Sequence, residues 1–158
     1  MVSVAEMRKA RMRGFTMPEL LAVVAIVAIL AAMAAPAYSS MAASMRARSL
    51  SSELYAALSR ARSEAIKRNA EVALVPVTAQ QWQHGWSISV PDNGRKLEQY
   101  PAVPGATVAG PAGVVYLPNG RVKDGSRPAF DIALSGNDQH RCVKVDLSGR
   151  PNQSKSTC

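Results

Sequence analysis

Apolar positions fall into three regimes along the chain. Residues 20–35 are sixteen consecutive apolar side chains. Leu50, Leu54, Ala57, Leu58, Ala61 and Ala65 then recur at three- and four-residue spacing, the stripe of an amphipathic helix. Beyond Asn69 the pattern shortens to small apolar runs bounded by Pro, Gly and Asn, which predicts strands at 72–77, 86–90, 97–100, 114–117, 129–134 and 142–147. In the last run Val143, Val145 and Leu147 alternate with Cys142, Lys144 and Asp146, as in a half-buried strand. Asp92-Asn93-Gly94 and Asn119-Gly120 are hairpin turn signals. Residues 101–113, rich in Pro, Gly and Ala, read as loop and weak edge. The expected class is α+β: a long N-terminal helix with a small antiparallel sheet assembly laid on its apolar stripe.

The uninterrupted run gives about 24 Å of helix, a little short of a ~30 Å hydrocarbon core. Adding Phe15, Thr16 and Met17 and the flank to Tyr38 brings it to a span. A buried core helix is the alternative, but the rest of the chain offers too little apolar helix to wrap it. Pro36 removes one helical hydrogen bond and predicts a kink. After it, Glu64 is placed to reach Arg60, Lys67 and Arg68 along the helix surface. A stop is expected near Asn69, so residues 16–68 would form one kinked rod of about 80 Å.

The formal charge is +8, unevenly spread. Residues 1–14 carry +3, residues 37–68 carry +4, and everything after Asn69 only +2. That excludes a uniformly basic nucleic-acid domain and makes most of the charge a solvated helix face. Arg8, Lys9, Arg11 and Arg13 precede the span and should stay cytoplasmic, leaving the C-terminal part on the far side. If that part is exported, Cys142 and Cys158 close one short disulfide loop; in a cytoplasmic protein they would be free thiols. A secretory signal cut at the small residues Ala32 to Ala35 is a rival account of the apolar run. It leaves Gly14-Phe15 and Glu19 unexplained. An ionised carboxylate in a membrane segment calls for a partner, because its insertion costs several kcal/mol.

Chemistry-bearing constellations are sparse. His84 and His140 lack metal-ligand spacing, and no nucleophile elbow, phosphate loop or catalytic carboxylate pair is present. Enzymatic activity, a cofactor and a metal site are therefore not expected. Trp82 and Trp86 are expected in the core or at a seam.

Gly14-Phe15-Thr16-Met17-Pro18-Glu19-Leu20, between a basic leader and an apolar helix, resembles the start of type IV pilins and pseudopilins. The resemblance implies cleavage between Gly14 and Phe15 by a prepilin peptidase and N-methylation of Phe15. It also implies a docking role for Glu19, pairing with the cationic amine of a neighbouring subunit's Phe15. A first-turn carboxylate is also favoured locally by the helix dipole, and both effects can operate. The stretch from Ala61 to Asn69 and Trp82-Gln83-His84-Gly85-Trp86 are similar to the GspH/FimT group of minor pilins and pseudopilins.

That group implies the type IV pilin fold and four segments. These are a leader at 1–14, a membrane or filament-core helix at 15–36, its amphipathic continuation at 37–69, and a β-rich head at 70–158 with a C-terminal disulfide loop. The implied location is the inner membrane, single-pass with a periplasmic head, and then a filament. The implied partners are the peptidase, membrane lipid before assembly, and other pilins. Two roles fit: a minor pilin near the tip of a type IV pilus that primes assembly, or a type II secretion pseudopilin. Some FimT-like proteins bind DNA through a C-terminal Gly-Arg-x-Arg motif. Here Gly149-Arg150-Pro151-Asn152 lacks the second arginine, for which Lys155 is the candidate substitute.

Overall fold

The computed structural model describes residues 15–134 and 137–158. The leader expected at 1–14, with Gly14 and its basic residues, lies outside the described residues. One helix, α1 (Met17–Arg68), precedes eight strands: β1 (Val72–Thr78), β2 (Gln81–Val90), β3 (Arg95–Tyr100), β4 (Ala106–Ala109), β5 (Val114–Tyr116), β6 (Ala129–Leu134), β7 (Asn137–Val145) and β8 (Pro151–Ser154). They form two four-stranded sheets, ordered β3-β2-β1-β5 and β4-β6-β7-β8. Every pairing is antiparallel, so the fold is α+β as expected.

The helix runs from Met17 to Arg68 with Pro36 inside it. It ends where the sequence implies. Asn69 takes φ 50°, its N–H bonds the Ile66 carbonyl at 3.3 Å, and the Ala70 N–H reaches back to Ala65 at 3.2 Å. This paired closure satisfies carbonyls that a helix end otherwise leaves open.

The chain divides into two compact units, Met1–Tyr38 and Ser39–Cys158. In the first, every described residue is exposed. In the second, the predicted helical stripe is buried, and one continuous core joins it to residues of both sheets, among them Leu74, Ile88, Phe130, Ile132 and Val143. Leu54 and Leu58 are fully buried, each side chain contributing about 1.5–3 kcal/mol by leaving water.

Trp82 and Trp86 are both in this core. Trp82 meets Phe130 edge-on at 4.8 Å and donates to the Pro111 carbonyl at 2.8 Å; Trp86 stacks on Tyr100 at 5.5 Å. Gly85 between them has φ 94°, and a Cβ there would fall 2.4 Å from the Tyr100 carbonyl oxygen. Only glycine tolerates both demands, which gives the Trp-x-x-Gly-Trp spacing a physical basis.

Two strands escape the hydrophobic pattern. β4 lies inside the stretch expected to be loop, and β8 inside the expected C-terminal loop. β7 ends at Val145, leaving Leu147 outside the strand and exposed, contrary to expectation. Both turn signals hold: Asn93 and Asn119 side chains accept from the Arg95 and Arg121 amides at 3.0 Å. Arg60 differs from expectation, pairing with Glu98 of β3 at 2.9 Å, while Glu64 holds Arg68 at 2.7 Å.

The Tyr116 hydroxyl is buried without a hydrogen-bond partner among the described residues, and burial pushes its pKa up. Such an orphan costs about 1–3 kcal/mol. Tyr116→Phe should therefore raise the chemical-denaturation midpoint, by about 1 kcal/mol of stability. A lower midpoint would mean that the hydroxyl has a partner.

Candidate functional site

Two regions hold the residues singled out by sequence. At the N-terminal end, Phe15 is 77% exposed and Glu19 stands in the first turn of α1. The Thr16 N–H approaches Glu19 Oε2 at 3.4 Å, so the carboxylate has a long, local first-turn contact of the kind favoured at a helix start. Behind it, Leu20, Ile26 and Leu30 are all more than half exposed. This helix is long and apolar enough to cross a membrane, and none of its most apolar window is buried.

At the C-terminal end, Cys142 and Cys158 form a disulfide. The bracketed segment is no simple loop: β8 pairs with β7 in the register Cys142↔Ser154, Val143↔Gln153, Lys144↔Asn152 and Val145↔Pro151. The intervening turn is organised by Asp146. Its Oδ1 accepts from the Ser148 hydroxyl at 2.6 Å, the Ser148 amide at 2.8 Å and the Arg150 amide at 2.9 Å. The Ser148 hydroxyl first, then the Arg150 amide, hold this carboxyl below the ordinary aspartate value of 3.8. A depressed native pKa means the turn's stabilisation is intact above 3.8 and is lost as pH falls through the lower native value. The amide shifts of Ser148 and Arg150 should move together in one step centred below 3.8. A midpoint at or above that value would contradict the bonding.

α1 grips this turn. Arg62 Nε donates to the Gly120 carbonyl at 2.9 Å and Nη2 to the Ser148 carbonyl at 3.3 Å. Gly149, at φ 79°, lies so near Gly120 that a Cβ would fall 2.0 Å from its carbonyl oxygen. Nothing in the linear sequence marked Arg62 for this role; it borders the buried stripe at Leu58 and Ala61, and that proximity was the available signal.

Arg150 and Lys155 are not brought together. They flank the two ends of the four-residue β8, and five extended residue steps separate their Cα atoms by about 16 Å. Lys155 therefore does not stand beside Arg150, where the motif would place its second arginine. The charge expectation also changes, because the compact unit includes the second half of α1. Ser39–Cys158 holds fifteen Lys and Arg against nine Asp and Glu, a formal +6 rather than +2.

Comparison with known families matches residues 50–149 to the model described as type II transport protein GspH. Residues 9–35 match the prokaryotic N-terminal methylation motif. Comparison with curated proteins finds no significant match. Among solved structures, the chain is similar to the type IV minor pilin FimU of Pseudomonas aeruginosa, with TM-score 0.62 and 24% identity over 68% of this chain and 91% of that one. A second crystal form of FimU gives TM-score 0.63 and 23% identity over 68% and 87%. The minor pseudopilin EpsH from the type 2 secretion system of Vibrio cholerae gives TM-score 0.57 and 16% identity over 70% and 97%. At these identities the structural likeness establishes the fold.

Proposed function

Because the chain belongs to the GspH family of structural minor pilins and pseudopilins, we propose that it is a minor pilin of a type IV pilus, incorporated near the tip and priming assembly. The observation that carries this is the exposed apolar N-terminal part of α1, with Glu19 in its first turn and Phe15 just before it, inside the methylation-motif match. An uncovered apolar helix needs lipid or other apolar helices around it. A filament subunit uses both in succession.

In this account the prepilin peptidase removes residues 1–14 after Gly14, and Phe15 becomes the N-methylated first residue. Residues 15–36 anchor the chain singly in the inner membrane and later join the filament core. Residues 37–69 continue the helix, and 70–158 form the head, on the periplasmic side. Glu19 is buried against the amine of a neighbouring subunit during extraction. No reaction is catalysed; the mechanism is storage in lipid followed by helix packing.

A type II secretion pseudopilin is the second reading, favoured by the likeness to EpsH and by the description of the matching family. Deleting the gene separates the two: loss of twitching motility with secretion intact supports the pilus, and the reverse result supports the secretion machine. Capture of DNA at Arg150 is the weakest reading, since Lys155 lies at the other end of β8.

A further inference from the structure

Several cations of Ser39–Cys158 are already committed: Arg60 to Glu98, Arg68 to Glu64, Lys123 to Glu71, and Arg62 to two loop carbonyls. Arg48, Arg141 and Lys155 have no ion pair among the described residues, yet they converge from α1, β7 and the segment after β8. Together with Gln153 and Ser154 they line a cleft of about 280 Å³. Arg141 and Lys155 continue into a second cleft of about 520 Å³, where Ser44, His140, Ser156 and Thr157 add polar groups. No Asp or Glu among the described residues lines either cleft. The Asp131 carboxylate is engaged by His140 Nδ1 at 3.0 Å.

Three uncommitted cations in one place repel one another unless an anion joins them. Hydroxyl and amide donors interleaved with guanidinium and ammonium groups suit an anion with several acceptor oxygens more than a single carboxylate. The arrangement is also held in place. Cys158 is bonded to Cys142, the neighbour of Arg141 in β7, which ties down the segment carrying Lys155, Ser156 and Thr157.

We propose that this paired cleft binds the phosphodiester headgroup of an anionic phospholipid. The proposal rests on the membrane-anchored stage described above. A head tethered to a bilayer meets headgroups at the high effective concentration that any short tether creates, so a modest site is filled there. Occupancy gives the stored subunit a second hold on the membrane beyond its apolar helix, one that extraction into a filament must release.

The test uses the full chain in nanodiscs of neutral phosphatidylcholine, in discs containing phosphatidylglycerol, and in neutral discs with added inorganic phosphate. Hydrogen exchange of the β8 amides and of residues 155–157 is the readout. Exchange should slow by about fivefold in the anionic discs, the gain that one basic side chain typically draws from an anionic surface. Arg141→Gln combined with Lys155→Gln should abolish the slowing. The exposed Lys155→Gln alone should reduce it, which covers the case in which the double variant misfolds. Protection by phosphate without protection by anionic lipid would overturn the proposal in favour of a small-anion site. Equal exchange in all three conditions would overturn it outright while leaving the membrane stage standing. Failure of the chain to enter any disc would remove the membrane stage and this site with it.

Discussion

Gly149→Ala is expected to lower the thermal midpoint of the Ser39–Cys158 unit by roughly 10 °C, reflecting about 3 kcal/mol of lost stability. Two separate effects add at this position. Its φ of 79° disfavours any side chain, a penalty of order 1–3 kcal/mol by itself. The new Cβ would also fall 2.0 Å from the Gly120 carbonyl oxygen, which is backbone and cannot rotate aside. That oxygen is the one Arg62 Nε holds at 2.9 Å, so relieving the overlap would also open the contact between α1 and the turn. Gly94 supplies the control: its φ is similarly positive at 65°, but a Cβ there meets nothing within 4 Å. Gly94→Ala should therefore cost only about 1–2 kcal/mol, the conformational penalty alone. Equal midpoints for the two variants, measured on the full chain in detergent, would show that the Gly120 contact is not rigid. The glycine preceding Arg150 is thus required by packing whatever the arginine does.

Glu19→Ala is expected to leave membrane insertion and leader cleavage intact and to reduce incorporation into filaments by a hundredfold or more. Removing one partner of a buried ion pair costs about 3–5 kcal/mol, because the other charge is left desolvated and alone. Glu19 also has its contact with the Thr16 amide at 3.4 Å, so alanine alone would confuse local capping with docking between subunits. Glu19→Gln separates them: its amide oxygen can still accept from Thr16, but its charge is gone. It should assemble as poorly as the alanine variant, measured as the ratio of sheared filament to membrane-retained protein. Wild-type incorporation of the glutamine variant would reduce Glu19 to a first-turn residue.

Linear features were the legible ones. The apolar run and the first-turn place of Glu19 are legible because both depend only on position along one helix. β6 was readable from end to end, since Phe130, Ile132 and Leu134 alternate against a core. The stop at Asn69 was readable because a left-handed closing residue has a residue preference. β8 was not: Pro151 opens it, its other residues are exposed, and only β7 pairs with it. An edge strand of that kind has no apolar period and is specified by its neighbour's hydrogen bonds. β4 fails for a related reason, a four-residue edge with only Ala106 and Val108 buried. The apolar pattern marks only the last five residues of β2, because the positive φ at Gly85 interrupts the alternation between Trp82 and Trp86. Arg62 and the cluster of Arg48, Arg141 and Lys155 were out of reach for a different reason. Their grouping depends on how the helix and the second sheet register, which no local pattern encodes.

Maturation between Gly14 and Phe15, with the apolar helix holding the chain until assembly, underlies both filament roles. Mass spectrometry of the N-terminal peptide, from protein purified out of cell membranes, tests it most directly. The expected chain begins at Phe15 and carries one added methyl group. A chain that keeps residues 1–14, or one cut near Ala35 and released from the membrane, would contradict it.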